Sequence, residues 1–176
     1  MAYQQGTSDF FGSTGAGTSA DPVIPQVTAP SDVIAITPTL DTNAYASGDL
    51  LADVTALVAA RVTGGRAIIQ SLSIVDINNQ GAAFSIYLMS TNTTWGTFNA
   101  APSISAANIA AGFLGRIDVA TTDYTTVNST KIASLKNLGI LIEATVATIY
   151  VVLVNGTGTP TYTASGLKLG FGLLQD

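Results

Sequence analysis

Cysteine and histidine are both missing from this 176-residue chain. Their absence removes disulfides, thiolate nucleophiles, Ser-His-Asp triads and most transition-metal sites together. Charge is scarce too: Asp, Glu, Lys and Arg supply 10% of residues, against roughly 25% in ordinary soluble domains. The polar surface must therefore come from Thr, Ser, Asn and Gly, and few like charges hold copies apart. Such a chain is expected to work packed against other protein. No Lys or Arg precedes Arg61, whereas Asp9, Asp21, Asp32, Asp41, Asp49 and Asp53 all do. Direct nucleic-acid binding needs clustered cations over phosphates, so DNA and RNA are not expected partners.

Long uninterrupted apolar runs are also lacking. The opening "MAYQQGTSDFF" has neither a basic n-region nor an apolar h-region, so no signal peptide is expected and synthesis in the cytoplasm fits. In "LGILIEATVATIYVVLVNG" (138–156), Glu143, Thr145 and Thr148 interrupt the apolar residues. A spanning helix needs about 20 mostly apolar residues. The β-branched content points instead to two adjacent buried strands, and no membrane partner is expected. Three N-x-[ST] sequons, at Asn92, Asn128 and Asn155, are what chance yields in a Thr-rich chain.

What is present divides into an arm and a domain. Residues 1–32 hold Gly6, Gly12, Gly15 and Gly17, then Pro22, Pro25 and Pro30, with no periodicity. Gly and Pro disfavour helix and central strand, so this segment reads as a flexible, then semi-extended arm. Its apolar positions, Phe10, Phe11, Val23, Ile24 and Val27, are candidate contacts with a neighbour. From residue 33 to 176 the signals are those of a single all-β domain. "VIAITPTL" (33–40), "RAIIQSLSIVDI" (66–77), "AAFSIYLMS" (82–90), "FLGRIDVA" (113–120), "LGILIEA" (138–144), "ATIYVVLVN" (147–155) and "GLKLGFGLLQD" (166–176) read as strands. "NNQG" (78–81) reads as the turn of a hairpin joining 66–77 to 82–90. Residues 48–62 fit either a helix, by the spacing of Leu50, Leu51, Val54, Leu57 and Val58, or a strand. "SAANIAAG" (105–112) suits a short helical turn, and breaks are expected around 91–112 and 121–137. Seven to nine short strands without a long helix predict a β-sandwich, and an eight-stranded jelly roll fits best.

Four patterns imitate chemistry. "GSTGAGTS" (12–19) places Gly12, Gly17 and Ser19 in the register of a phosphate-binding loop, but Thr18 stands where the lysine belongs. No strand precedes it, and Pro22 and Pro25 would break the helix that should follow. "DTN" (41–43) lacks the glycine of an aspartic-protease turn, and a side chain bonding its own backbone explains it. Glu143 is the sole glutamate, and its expected place is the solvent side of a strand, or beside Lys136 or Arg116. Asp49 and Asp53 form the closest acidic pair, which reads as a solvated face rather than a calcium site. No catalytic residue, metal or cofactor is expected. Trp95, with Phe98 in its loop and Tyr87 near by, is either a sugar-stacking platform or an aromatic that caps the core or fills a subunit seam; the second is preferred.

"ITPTLDTNAYASGDLL" (36–51), "IYVVLVNGTGTPTY" (149–162) and "LKLGFGLLQD" (167–176) make the chain resemble a group of small virion structural proteins of tailed bacteriophages. The resemblance spans residues 34–176, and its motifs are strand and turn letters rather than catalytic ones. It implies a β-sandwich that decorates or cements the capsid exterior. The implied partners are the major capsid protein and further copies, as a dimer or trimer. The competing expectation is a binding module of a head fibre, tail fibre or baseplate that reads a host glycan or receptor. A hydrolase built on Glu143 is the weakest reading.

Overall fold

The computed structural model describes residues 31–175. The expected arm lies outside these residues, except that Ser31 and Asp32 already belong to the first strand. The elements run β1 (Ser31–Ile36), β2 (Leu50–Val58), β3 (Arg66–Asp76), β4 (Phe84–Met89), α1 (Ala106–Gly112) and β5 (Phe113–Val119). A single 3-10 turn (Thr121–Asp123) leads into β6 (Tyr124–Val127), β7 (Thr130–Glu143), β8 (Thr148–Asn155) and β9 (Leu167–Gln175).

Two antiparallel sheets form. One has the order β1-β9-β3-β7-β6 and the other β2-β8-β4-β5. With the short edge strand β6 set aside, each sheet holds four strands, and the chain switches sheet at nearly every connection. The first strand lies beside the last. That is the jelly-roll arrangement, in which hydrogen-bonded neighbours come from distant parts of the chain.

Strict alternation explains β9: Leu167, Leu169, Phe171 and Leu173 point inward between Lys168, Gly170, Gly172 and Leu174. They meet Leu72 and Ile74 of β3, and Phe84, Ile86 and Leu88 of β4 line the other inner face. The undecided segment 48–62 is a strand. Its ladder with β8 shifts register between Leu50 and Ala52 and again between Ala52 and Thr55. Each bulge adds a residue to one strand, so apolar side chains that alternate in space look helically spaced in sequence. A similar slip opposite Gln70 puts Ile69 on the inner face with Leu72 and Ile74, and turns Ile68 outward. On β7 that slip uses Asn137 and Gly139, both at positive φ (58° and 63°).

Three expectations fail. β3 and β4 are not a hairpin, because β3 already has β9 and β7 on its two sides and β4 belongs to the other sheet. "NNQG" is a crossover, tied down by the buried Asp76 carboxylate, which accepts from the Asn78 and Gly81 N–H groups at 3.0 and 2.6 Å. The region 121–137 is not a break: a two-residue turn, with Asn128 at φ 56°, joins β6 to β7. Residues 138–155 give strands in different sheets rather than neighbours, and Leu141 of β7 is 65% exposed.

One end of the sandwich is closed by tyrosines. The Tyr45 hydroxyl donates to the Leu51 carbonyl at 3.1 Å and accepts from the Asp41 N–H at 2.5 Å. Burial pushes its pKa up to about 12. Burial, reinforced by Asp76, raises Tyr124 and Tyr162 further still. Tyr162 packs 6.4 Å from Tyr45, and the hydroxyls of Tyr124 and Tyr162 have no partner within the described protein.

Candidate docking faces

The outward side chains of the two sheets make the surfaces through which this domain meets other molecules. On the β2-β8-β4-β5 sheet, cross-strand register sets three outward rows: Val154–Ser85–Asp118, Val152–Tyr87–Arg116 and Tyr150–Met89–Phe113. Their centre is apolar and would cost free energy if left in water. The connection from β4 to β5 covers it. Its ends are pinned where Ser90 N–H donates to Gly112 O at 2.7 Å. Its middle reaches the far edge strand, where Leu50 and residues 99–100 exchange backbone hydrogen bonds of 2.8 and 3.0 Å.

The fastening that sequence reading missed is Asp53. From β2, its carboxylate accepts the Trp95 N–H at 2.8 Å and the Thr94 hydroxyl at 2.5 Å. Asp49 acts locally instead, accepting the Ala46 N–H at 2.6 Å in its own turn. The acidic pair is therefore not a bare solvated face. Only three-dimensional pairing of β2 with the 94–100 stretch reveals this, because Asp53 and Trp95 lie far apart in sequence.

Trp95 is 4% exposed. It packs with Leu50, Met89 and Val152 in a second apolar cluster outside the sandwich core, with its ring 4.8 Å from that of Tyr87. A ring so enclosed offers no open face for a sugar to stack on; it caps the outside of a sheet. Its indole N–H has no acceptor within the described protein. Phe98, in the same loop, is 36% exposed and stands outside this cluster. Beside the cap, Tyr87, Trp95, Pro102, Ile109 and Phe113 line a pocket of about 420 Å³. Phe113, 48% exposed, forms its rim. Arg116 lies against the Tyr87 hydroxyl and bonds the Asp118 carboxylate at 2.7 Å, contacts that raise its pKa, Asp118 foremost.

The other outer face has no such cover among the described residues. Its rows are Leu174–Ile68–Leu141, Val33–Gly172–Ser71–Lys136, Ala35–Gly170–Ser73–Ser134 and Lys168–Val75–Ile132–Thr125. The middle rows consist mostly of Gly, Ala and Ser, so the sheet is flat there. A groove of about 450 Å³ runs over Gly172 between Val33 and Ser71. A Cβ at Gly172 would fall 2.3 Å from the Ser71 hydroxyl. Around this flat strip Val33 is 67% exposed and Ile132 40%. Glu143 does lie on the solvent side, but its partner is Arg66, at 3.2 Å, rather than Lys136 or Arg116. Arg66, Lys136 and Lys168 place half of the chain's six basic residues on this face.

Phe10, Phe11, Val23, Ile24 and Val27 lie outside the described residues, as does "GSTGAGTS". The "DTN" turn is what its letters suggest: Asp41 Oδ1 accepts the Asn43 backbone and side-chain N–H groups at 2.7 and 2.8 Å. Among the described residues, no helix is long and apolar enough to cross a membrane, and no three acidic side chains gather as metal ligands.

No family model matches the chain, and no curated protein matches it. Among solved structures, one from Desmodium yellow mottle tymovirus aligns over 98% of this chain and 92% of its own, at 13% identity and a TM-score of 0.26.

Proposed function

We propose that this protein is a non-enzymatic structural component of a tailed-bacteriophage virion that decorates or cements the capsid exterior. It is made in the host cytoplasm and sits on the particle as a dimer or trimer bound to the major capsid protein. The observation that carries this reading is the outer face of the five-stranded sheet, which no segment covers among the described residues. A flat strip of Gly and Ser, edged by exposed Val33, Ile132 and Leu141, suits burial against another protein surface better than permanent contact with water. Repetition over a lattice lets each such contact be modest, because linked sites add avidity. The virion resemblance of residues 34–176 supplies the partner.

The test is particle occupancy. Val33→Lys with Leu141→Lys changes two exposed positions, so the fold should survive while the protein is lost from purified particles. Its wild-type copy number should scale with the head lattice. Full occupancy by the double variant, or a copy number matching a single vertex or tail, would sink the capsid reading.

The aromatic pocket beside Trp95 favours a second reading, a head-fibre, tail-fibre or baseplate module that binds a glycan or receptor. The burial of Trp95 weighs against it, since sugar recognition relies on an open aromatic face. Binding of the purified protein to host glycans or cells, lost on Phe113→Ala, would promote it.

A further inference from the structure

We propose that the free edge of β5 joins two copies of this chain, which pair antiparallel about a two-fold axis at Ile117, with Arg116 of each copy opposite Asp118 of the other. β5 ends the four-stranded sheet and has β4 on one side only. From Gly115 to Val119 its register with β4 runs without a shift.

The backbone pattern decides which groups face the free side. Gly156 N–H donates to Ala83 O at 2.8 Å, so alternation along β4 turns Ser85 and Tyr87 toward β8, and Phe84, Ile86 and Leu88 toward β5. Opposite these last three stand Val119, Ile117 and Gly115, whose backbone groups therefore bond to β4. Arg116 and Asp118 present their N–H and C=O groups outward, and these bond nothing else among the described residues. The other sheet edges carry devices that discourage pairing. β2 has two register shifts and is met at Leu50 by residues 99–100. β6 is only four residues long. On β1 the Val33 N–H is taken by the Asp32 carboxylate at 2.7 Å.

Charge selects both the occupant and the register. Two β5 edges can bond only where even positions meet even positions. With the axis at Ile117, Arg116 faces Asp118 of the second copy and Asp118 faces its Arg116, each pair exchanging two backbone hydrogen bonds. An axis at Arg116 or at Asp118 would set like charges opposite each other, which destabilises the pairing. The two side chains bond each other at 2.7 Å within one copy but stay 51% and 57% exposed, so each can take a second partner. The outward row Val152–Tyr87–Arg116 then continues into Asp118–Ser85–Val154 of the second copy. The two four-stranded sheets become one.

This pairing rests on the reading of the protein as an oligomeric structural component, and a two-fold contact closes at two copies. β5 lies in the other sheet from Val33 and Leu141, and its test needs no capsid. A failed dimer and a lost particle occupancy are thus read separately.

Sedimentation of the full-length protein over a concentration series reads the assembly. The wild type should form dimers. Arg116→Asp and Asp118→Arg, both at exposed positions, should each raise the dimer dissociation constant at least about tenfold, because both cross-copy pairs become like-charged. An equimolar mixture of the two variants should dimerise again, since an acidic edge then meets a basic one, and Arg116→Asp/Asp118→Arg in one chain should dimerise as the wild type does. Amide exchange at Arg116 and Asp118 should slow as wild-type concentration rises. A wild type that stays monomeric or forms trimers, single variants that dimerise unchanged, or a mixture that stays monomeric would overturn the proposal. So would a dimer in which those two amides exchange at the monomer's rate.

Discussion

The two outer faces of this sandwich start from similar strand chemistry and end differently. On one, Val152, Tyr87 and Met89 point outward, and the chain covers them with its own 91–112 connection, fastened by Asp53 and capped by Trp95. On the other, the outward residues shrink to Gly170, Gly172, Ser71 and Ser73, and among the described residues nothing covers the larger apolar ones. The difference teaches how a weakly charged chain divides its apolar surface. A face that must be dry in the single copy receives a lid from within, and the face that the proposed function gives to a partner is flat, with small side chains that lose little entropy on contact.

The largest test of that contrast is Trp95→Ala. Truncating a buried Trp costs about 3–5 kcal/mol, so chemical denaturation should show a loss in that range. A loss below about 1 kcal/mol would mean that the covered face is no second core. Next comes Asp53→Ala, which removes one exposed and one half-buried hydrogen bond to a charged group, together worth about 1.5–3 kcal/mol. Amide exchange in residues 94–100 should accelerate more than in β8, and uniform acceleration would contradict a local fastening. Alkali should act through the interior, where Tyr45 is buried. Tyr45 is held neutral with its pKa pushed up to about 12, so its contribution is intact below the ordinary phenol value near 10 and is lost as pH climbs from there to 12. Thermal melts followed with phenolate absorbance should drop together across that window; an unchanged melting temperature would exclude the linkage. The smallest effect belongs to Leu141→Ala on the open face, expected within about 0.5 kcal/mol in the isolated protein. A cost comparable to that of Trp95→Ala would show that the open face is not open in solution.

The sandwich was legible where side chains alternate without interruption. β9 and the second half of β3 read correctly because Leu167, Leu169, Phe171, Leu72 and Ile74 follow the pleat. Legibility failed where geometry departs from that period. The paired bulges of β2 made a strand look helical, and the slip at Gln70 breaks the simple alternation of β3, so that Ile69 rather than Ile68 faces inward with Leu72 and Ile74. β6 was missed because "YTTV" is half polar and short, and it is an edge strand with only β7 beside it. The site was less legible still. Trp95 stood out as the lone indole, but it caps the outside of one sheet rather than the sandwich core. Its fastening by Asp53 and the pairing of Arg66 with Glu143 arise from contacts between distant segments, for which one sequence carries no local signal.

The pairing of β1 with β9 has a consequence in time. A ribosome delivers β3 long before β9, and until β9 emerges one hydrogen-bonding side of β3 and all of β1 lack their neighbour. The five-stranded sheet therefore closes late, and pairing between segments so distant in the chain is slow to assemble. Until then its open strand edges can pair with those of other nascent chains. A protein made in many copies would meet this hazard at every round of synthesis, and cooler growth or slower expression should raise the yield of folded protein by thinning the population of unfinished sheets.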